Sequence, residues 1–224
     1  MKIGLLGFGV VGRGVYDIIT NRQDMQVAKV VCLEDVILPD AEVTKDFKSV
    51  LADSSIDTIV EAIAKAFSAE AERLAEMAVK ETDFGNVRDK TVKNRFASET
   101  VWQAIRDMKT VGVLKEDPGE KLWQIGVPVG VIAAIVPSTN PTSTICYKAL
   151  IALKSGNAIV FSPHPKALFC TLRAAQIVAE AAEKAGAPKG SVGCLSIPSL
   201  DGCKESGMAL PAAAVALLLP AKRL

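Results

Sequence analysis

The sequence predicts an α/β protein made of two partial Rossmann-like parallel-sheet units joined by a helical segment. Three observations carry that expectation. A short apolar strand at residues 3–6 runs directly into Gly7, Gly9 and Gly12. An apolar run at residues 131–136 stops at Pro137. From there to residue 197, strand-length apolar runs alternate with stretches of helical spacing, and strands covered on both faces of a parallel sheet read as such near-continuous runs.

The composition is that of an ordinary globular protein. The chain has 224 residues, half of them hydrophobic and 23% charged, with a net charge of +1. That length suits one large domain or two small ones, and no basic field speaks for nucleic acid. Cys32, Cys146, Cys170, Cys194 and Cys203 form no C-x-x-C pair, and one is left over from any pairing, so neither a disulfide framework nor a metal site is expected. Reduced, buried thiols in the cytoplasm are the expectation. The N-terminus meets glycines too early for a signal peptide. The apolar tail at residues 208–221 is too short for a bilayer, which needs about 20 residues, and carries Pro211 and Pro220, so no membrane span is expected.

In the first unit, the glycine run opens a segment at 10–20 with helical spacing through Val11, Val15, Ile18 and Ile19. Gly7, Gly9 and Gly12 permit a tight turn, close approach to a pyrophosphate and close helix packing, and a helix N-terminus favours phosphate. A second strand at 27–33 ends in Glu34, at the distance where an acidic residue takes ribose hydroxyls. These residues predict dinucleotide binding. Their other reading is a purely structural glycine turn.

Beyond residue 65 an amphipathic helix is expected at 66–82, closed by Asp83-Phe-Gly85, and a second at 89–108. Asp117-Pro-Gly119 marks a turn before a strand at 122–127. Strands follow at 131–136, 158–161 and 192–197, with helices at 147–154 and 166–185 between them. Pro141, Thr142, Ser143 and Thr144 mark a helix start, which leaves Asn140 at a strand-to-helix turn, where an open α/β sheet puts its ligand. On its own residues, Asn140 reads more commonly as a stabiliser of that turn before a proline.

Specific motifs add to this. Pro137-Ser-Thr-Asn-Pro141, Lys148-Ala-Leu-Ile-Ala-Leu-Lys-Ser-Gly-Asn157 and Phe161-Ser-Pro-His-Pro165 resemble the cofactor-binding domain of CoA-acylating aldehyde dehydrogenases, over about residues 66–205. The resemblance implies NAD as cofactor, an aldehyde and CoA as partners, and an Asn140 amide facing the oxyanion of a thiohemiacetal. It also places Ser162, Pro163, His164 and Lys166 around the adenosine side of NAD. For Lys166 a solvated lysine at a helix start is the other reading. His164, the only histidine, has no Ser or Cys nucleophile motif beside it.

Residues 1–63, with Lys2-Ile-Gly-Leu-Leu-Gly-Phe-Gly-Val-Val-Gly12 and a third strand about Asp53-Ser-Ser-Ile-Asp-Thr-Ile-Val-Glu61, resemble the start of homoserine dehydrogenases. That family carries an Arg where this chain has Leu33 and Glu34, which leans toward NAD over NADP. Its catalytic lysine has no counterpart here.

The expected organisation is therefore a dinucleotide-binding unit at 1–64, an NAD-binding unit at 65–205 and an apolar tail at 206–224. The nucleophilic cysteine of the acylating family lies in a separate catalytic domain, and none of the five cysteines stands in its motif. Three readings follow: an acylating aldehyde dehydrogenase that is truncated and inactive alone, a non-catalytic NAD-binding module or chimeric fragment, and a homoserine dehydrogenase-related oxidoreductase. Exposed strand edges leave association of copies into a homo-oligomer open.

Overall fold

The structure, a computed structural model, describes residues 2–6, 10–23, 26–31, 36–44, 55–197 and 215–218. The chain divides into two compact units. One comprises Met1–Asp53 with Val111–Ile125, the other Ser54–Thr110 with Gly126–Leu224.

The first unit contains β1 (Lys2–Leu6), α1 (Val10–Thr20), β2 (Gln26–Val31) and β3 (Glu42–Thr44) in a parallel sheet of order β1-β2-β3. Tyr16 and Ile19 of α1 are buried with Val27 and Val30 of β2, whereas Val15 and Ile18, which the sequence spacing placed on the packed side, are exposed. Strands β4 (Gly112–Asp117) and β5 (Leu122–Gly126) pair in a separate two-stranded sheet. Between them the Asp117 carboxylate accepts the Glu120 N–H at 3.2 Å, and Lys121 takes φ 52°, as the Asp-Pro-Gly turn requires.

Residues 55–61 do not form the expected third strand. They open α2 (Ser55–Ala69), which buries Ile59, Val60, Ile63, Ala64 and Phe67. Those positions recur at three- and four-residue spacing, which gathers them on one side of a helix and would scatter them over both faces of a strand. The helix runs unbroken through residue 64.

Helix α3 (Ala71–Thr82) ends where Asp83 adopts φ 56° and its N–H bonds the Val79 carbonyl. The helix expected at 89–108 is instead three pieces: α4 (Val87–Arg95), a π-helical turn (Phe96–Thr100) and α5 (Val101–Ile105). Asn86 starts α4, its side-chain oxygen accepting the Asp89 N–H at 2.9 Å while its amide donates to the Asp89 carboxylate at 2.8 Å. This reciprocal cap satisfies a first-turn donor and sets the helix start at Val87, two residues before the expected one.

The second sheet has order β8-β7-β6-β9, from β6 (Val131–Ile135), β7 (Ala158–Ser162), β8 (Val192–Cys194) and β9 (Val215–Leu218), all its pairs parallel. Helices α6 (Pro141–Lys154) and α7 (Leu168–Lys184) connect β6 to β7 and β7 to β8, the second preceded by a 3-10 turn at Pro165–Ala167. Gly156, at φ 72°, releases the chain from α6 into β7. Strand β8 is shorter than the expected 192–197. Nor is β6 covered equally on both faces: Ile132 and Ala134 are buried, while Ile135 is 40% exposed.

The core of this unit gathers Ile63, Phe67 and Leu74 from α2 and α3, Ile145 and Leu150 from α6, and Ile159 and Phe161 from β7. One of the buried charges ties these elements together. The Lys154 ammonium is held by the Asp57 carboxylate and donates to the Arg106 carbonyl at 2.7 Å, tying α6 to α2 and to the end of α5. Among the described residues no helix is long and apolar enough to cross a membrane.

Candidate active-site cleft

Parallel pairing sets the site. Ile135 stands opposite Ser162, and the Val136 N–H extends the ladder by donating to the Ser162 carbonyl at 2.9 Å. The two strands therefore end together, and Asn140 and residues 162–166 leave the same carboxyl edge of the sheet. That edge is where open α/β sheets hold ligands.

Asn140 occupies the position before α6, with Pro141 at the first helical position, yet its side chain makes no capping bond to its own helix. The turn is stabilised instead by the Asn140 backbone carbonyl, which accepts from the Thr144 hydroxyl at 2.6 Å. The Asn140 side-chain oxygen accepts a hydrogen bond from Lys93 Nζ at 3.0 Å. An ammonium can only donate, so Lys93 fixes which end of the amide faces it. Nδ2 is turned the other way, and among the described residues nothing accepts from it.

Three residues of one helix reach this turn. Lys90 Nζ donates to the Thr139 carbonyl at 2.7 Å, Lys93 to Asn140, and the Asn94 side-chain oxygen accepts from the Thr142 hydroxyl at 2.8 Å. Positions 90, 93 and 94 lie at i, i+3 and i+4 and so share one side of α4. Asn94 is itself fixed by donating to the Ala71 carbonyl at 2.8 Å. Burial, and then the neighbouring Lys93 charge, lowers the Lys90 pKa from its ordinary value.

A cleft of about 830 Å³ lies beside Asn140. One wall comes from α4 through α5, with Val92, Lys93, Phe96, Ala97 and Val101; the other comes from Pro137, Thr139, Asn140, Ser143, Thr144 and Tyr147. The π turn widens the helix so that residues five apart, Phe96 and Val101, both line it. Apolar walls around a few polar groups are the general character of a small-molecule site.

The sequence-based site residues are brought together only in part. Ser162 ends β7 half-buried, Pro163 is buried, and His164 and Lys166 are exposed. His164 Nδ1 accepts the Lys166 backbone N–H at 3.1 Å, which leaves Nε2 to carry the ring proton. None of these four lines the cleft beside Asn140. Gly12 lies in α1 of the first unit, and Gly7, Gly9 and Glu34 lie outside the described residues. Lys90, Lys93 and Asn94 escaped sequence reasoning. The stretch Asp89-Lys-Thr-Val-Lys-Asn94 reads from sequence only as a packing helix that resembles the entry to the family fold, with no sign of a partner 47 residues away.

The described cysteines do not supply a nucleophile. Cys146 and Cys170 are buried, Cys194 is half-buried, and all three are free thiols. Burial raises Cys146 well above the ordinary thiol range, and Cys194 to about 11. For Cys170, burial and then the Glu81 carboxylate raise the pKa to about 12. A thiol kept neutral at physiological pH is a poor attacking group.

Comparison with known proteins agrees with the geometry. The aldehyde dehydrogenase family model matches residues 41–206, and the chain belongs to that family. It is 49% identical over 146 residues to the bifunctional aldehyde-alcohol dehydrogenase AdhE of Escherichia coli K12, covering 65% of this chain and 16% of that one. An acetylating aldehyde dehydrogenase from Geobacillus thermoglucosidasius is 57% identical, with TM-score 0.66, over 67% of this chain and 33% of its own. A propionaldehyde dehydrogenase from Rhodopseudomonas palustris, solved with bound CoA and an acylated cysteine, is 30% identical, with TM-score 0.59, over 76% of this chain and 38% of its own. The chain thus spans about a third of the length of these solved relatives. They place the resemblance in the CoA-acylating branch.

Proposed function

We propose that this chain carries the cofactor-binding and oxyanion-stabilising part of an NAD-dependent, CoA-acylating aldehyde oxidation: aldehyde, CoA and NAD give acyl-CoA and NADH. The observation that carries this reading is the Asn140 amide, whose oxygen is engaged by Lys93 and whose Nδ2 is left to donate beside an apolar cleft. In such a reaction a thiolate attacks the aldehyde carbonyl, a C–S bond forms, and negative charge moves to the oxygen. A preset donor aimed at that charge lowers the barrier without reorganising. The thiolate comes from outside the described residues, since none of the three described cysteines lines the cleft. Loss of hydride to NAD turns the thiohemiacetal into an acyl thioester, and transfer of the acyl group to the thiol of CoA releases the thiolate again.

A bound nicotinamide supplies the hydride acceptor. Ser162, Pro163, His164 and Lys166 fit the nucleotide end of such a cofactor, because they leave the sheet at the same edge as Asn140 and the His164 and Lys166 side chains are exposed there. Gly7, Gly9, Gly12 and Glu34 are the competing cofactor site, in the first unit. Glu34 favours NAD over NADP at that position. We place the reaction in the cytoplasm, where free thiols persist.

Two measurements on the purified chain test this. Thermal unfolding with NAD at about 100 times its dissociation constant should show about 2.7 kcal/mol of added stability. The shift should survive Gly9→Val and be lost in Lys166→Ala, whereas the reverse moves the cofactor to the first unit. In an NADH assay with aldehyde and CoA, with the nucleophile-bearing catalytic domain of an acylating relative supplied beside the chain, Asn140→Ala should lower kcat by about 10²- to 10³-fold. The chain alone is expected to form no NADH, whereas absence of NADH with that domain present would leave a cofactor-binding module and overturn the oxidoreductase reading.

A further inference from the structure

We propose that Lys93 is a positioning residue: together with Lys90 and Asn94 it forms a clamp on α4 that presets the donor side of the Asn140 amide. This deepens the proposed function and rests on Asn140 being the oxyanion donor.

A primary amide at a turn has two orientations related by a half-turn about its last bond, nearly alike in shape and opposite in hydrogen bonding. An Asn before a helix commonly spends its oxygen on a backbone N–H of the first turn. Asn140 does not. Its oxygen accepts from Lys93 Nζ at 3.0 Å, and the flipped amide would set two donors against each other. The ammonium thereby selects the orientation with Nδ2 away from Lys93. Its charge also polarises the amide, and a hydrogen bond accepted at the oxygen strengthens the donor at the nitrogen.

The rest of the clamp removes the remaining freedom. Lys90 holds the Thr139 carbonyl, so the backbone before Asn140 is fixed, and Asn94 holds the Thr142 hydroxyl just after it. Both clamp residues are buried, Lys90 at 5% and Asn94 at 1% exposure. Lys93 is exposed and makes no ion pair with a carboxylate among the described residues, so Asn140 is its one polar partner there. A solvated surface lysine needs no such partner. This one spends conformational freedom to face an amide whose nitrogen has no acceptor.

The test reads the amide itself. In a ¹⁵N-labelled sample of the full chain, the Asn140 side-chain NH₂ pair is assigned by its loss in Asn140→Ala. Lys93→Met should shift that pair while the backbone spectrum stays dispersed, and Lys93→Arg, again donor-only, should return it toward its native position. A pair that stays in place in Lys93→Met overturns the proposal. So does one displaced equally in Lys93→Met and Lys93→Arg, which would mark repacking. The parent reading fails separately: unchanged NADH formation in Asn140→Ala removes the oxyanion role and leaves the amide result standing.

Discussion

At the scale of single residues, the second unit buries two lysines on α6 and treats them differently. Lys154 keeps a carboxylate partner, whereas Lys148 donates to the Ile135 carbonyl at 2.8 Å, and burial lowers its pKa to about 8. Below pH 8 both folded and unfolded chains hold the Lys148 proton. Between about 8 and the ordinary 10.5 the unfolded chain holds a proton that the folded chain has released, so stability rises with pH across that window. Urea midpoints of the native chain and of Lys148→Met, taken at pH 8 and at pH 10, should therefore diverge in favour of the native chain at the higher pH. A constant difference would show that Lys148 does not titrate there. Neither this lysine's burial nor the Lys93 bond was legible in the sequence, because both depend on groups brought from distant elements. Asn140 was legible for the opposite reason: a strand, a proline and a helix start are all local, and together they place it.

At the scale of elements, local chemistry fixed most boundaries and long-range packing moved the others. The caps at Asn86 and Asp83 follow from their residue types, and the turn at Asp117-Pro-Gly119 forms where it was expected. Asn86→Ala should cost about 1 kcal/mol in chemical unfolding, by freeing the first-turn donor of α4. Leu74→Ala, at a fully buried position of α3, should cost about 3–5 kcal/mol, since the cavity adds to the lost transfer energy. No loss of stability in Asn86→Ala would show that α4 is held by packing alone. Residues 53–61 misled for a physical reason: Ile56, Ile59 and Val60 are β-branched and suit a strand, but burial of Ile63 and Phe67 with them rewards a helix. The π turn had no readable signal. One extra residue per turn changes no composition, and only the side chains it turns toward the cleft reveal it.

At the scale of the whole molecule, the described residues of the two units form unequal cores. The first buries Tyr16, Ile19, Val27 and Val30, while the second buries a cluster spread over α2, α3, α6, α7 and the parallel sheet. Hydrogen exchange followed by peptide mass analysis should find β1 and β2 exchanging at lower denaturant than β6 and β7, because local opening follows the buried apolar area that is lost. Equal protection would make the chain one cooperative unit. The doubly wound character was evident from alternating apolar runs. The grouping of β4 and β5 with residues 1–53 was not, since nothing in a hairpin-like sequence names the body it joins.

The sheet order also has a consequence for how the chain acquires its structure. Strand β6 is flanked by β7, which follows it closely, and by β9, which is far later in sequence. On a ribosome the local unit β6-α6-β7 can close first, leaving the far edge of β6 with open N–H and carbonyl groups until Val215 to Leu218 emerge. Closing that edge is a late event of high contact order. In the interval the nascent chain presents an apolar strand edge of the kind that chaperones shield.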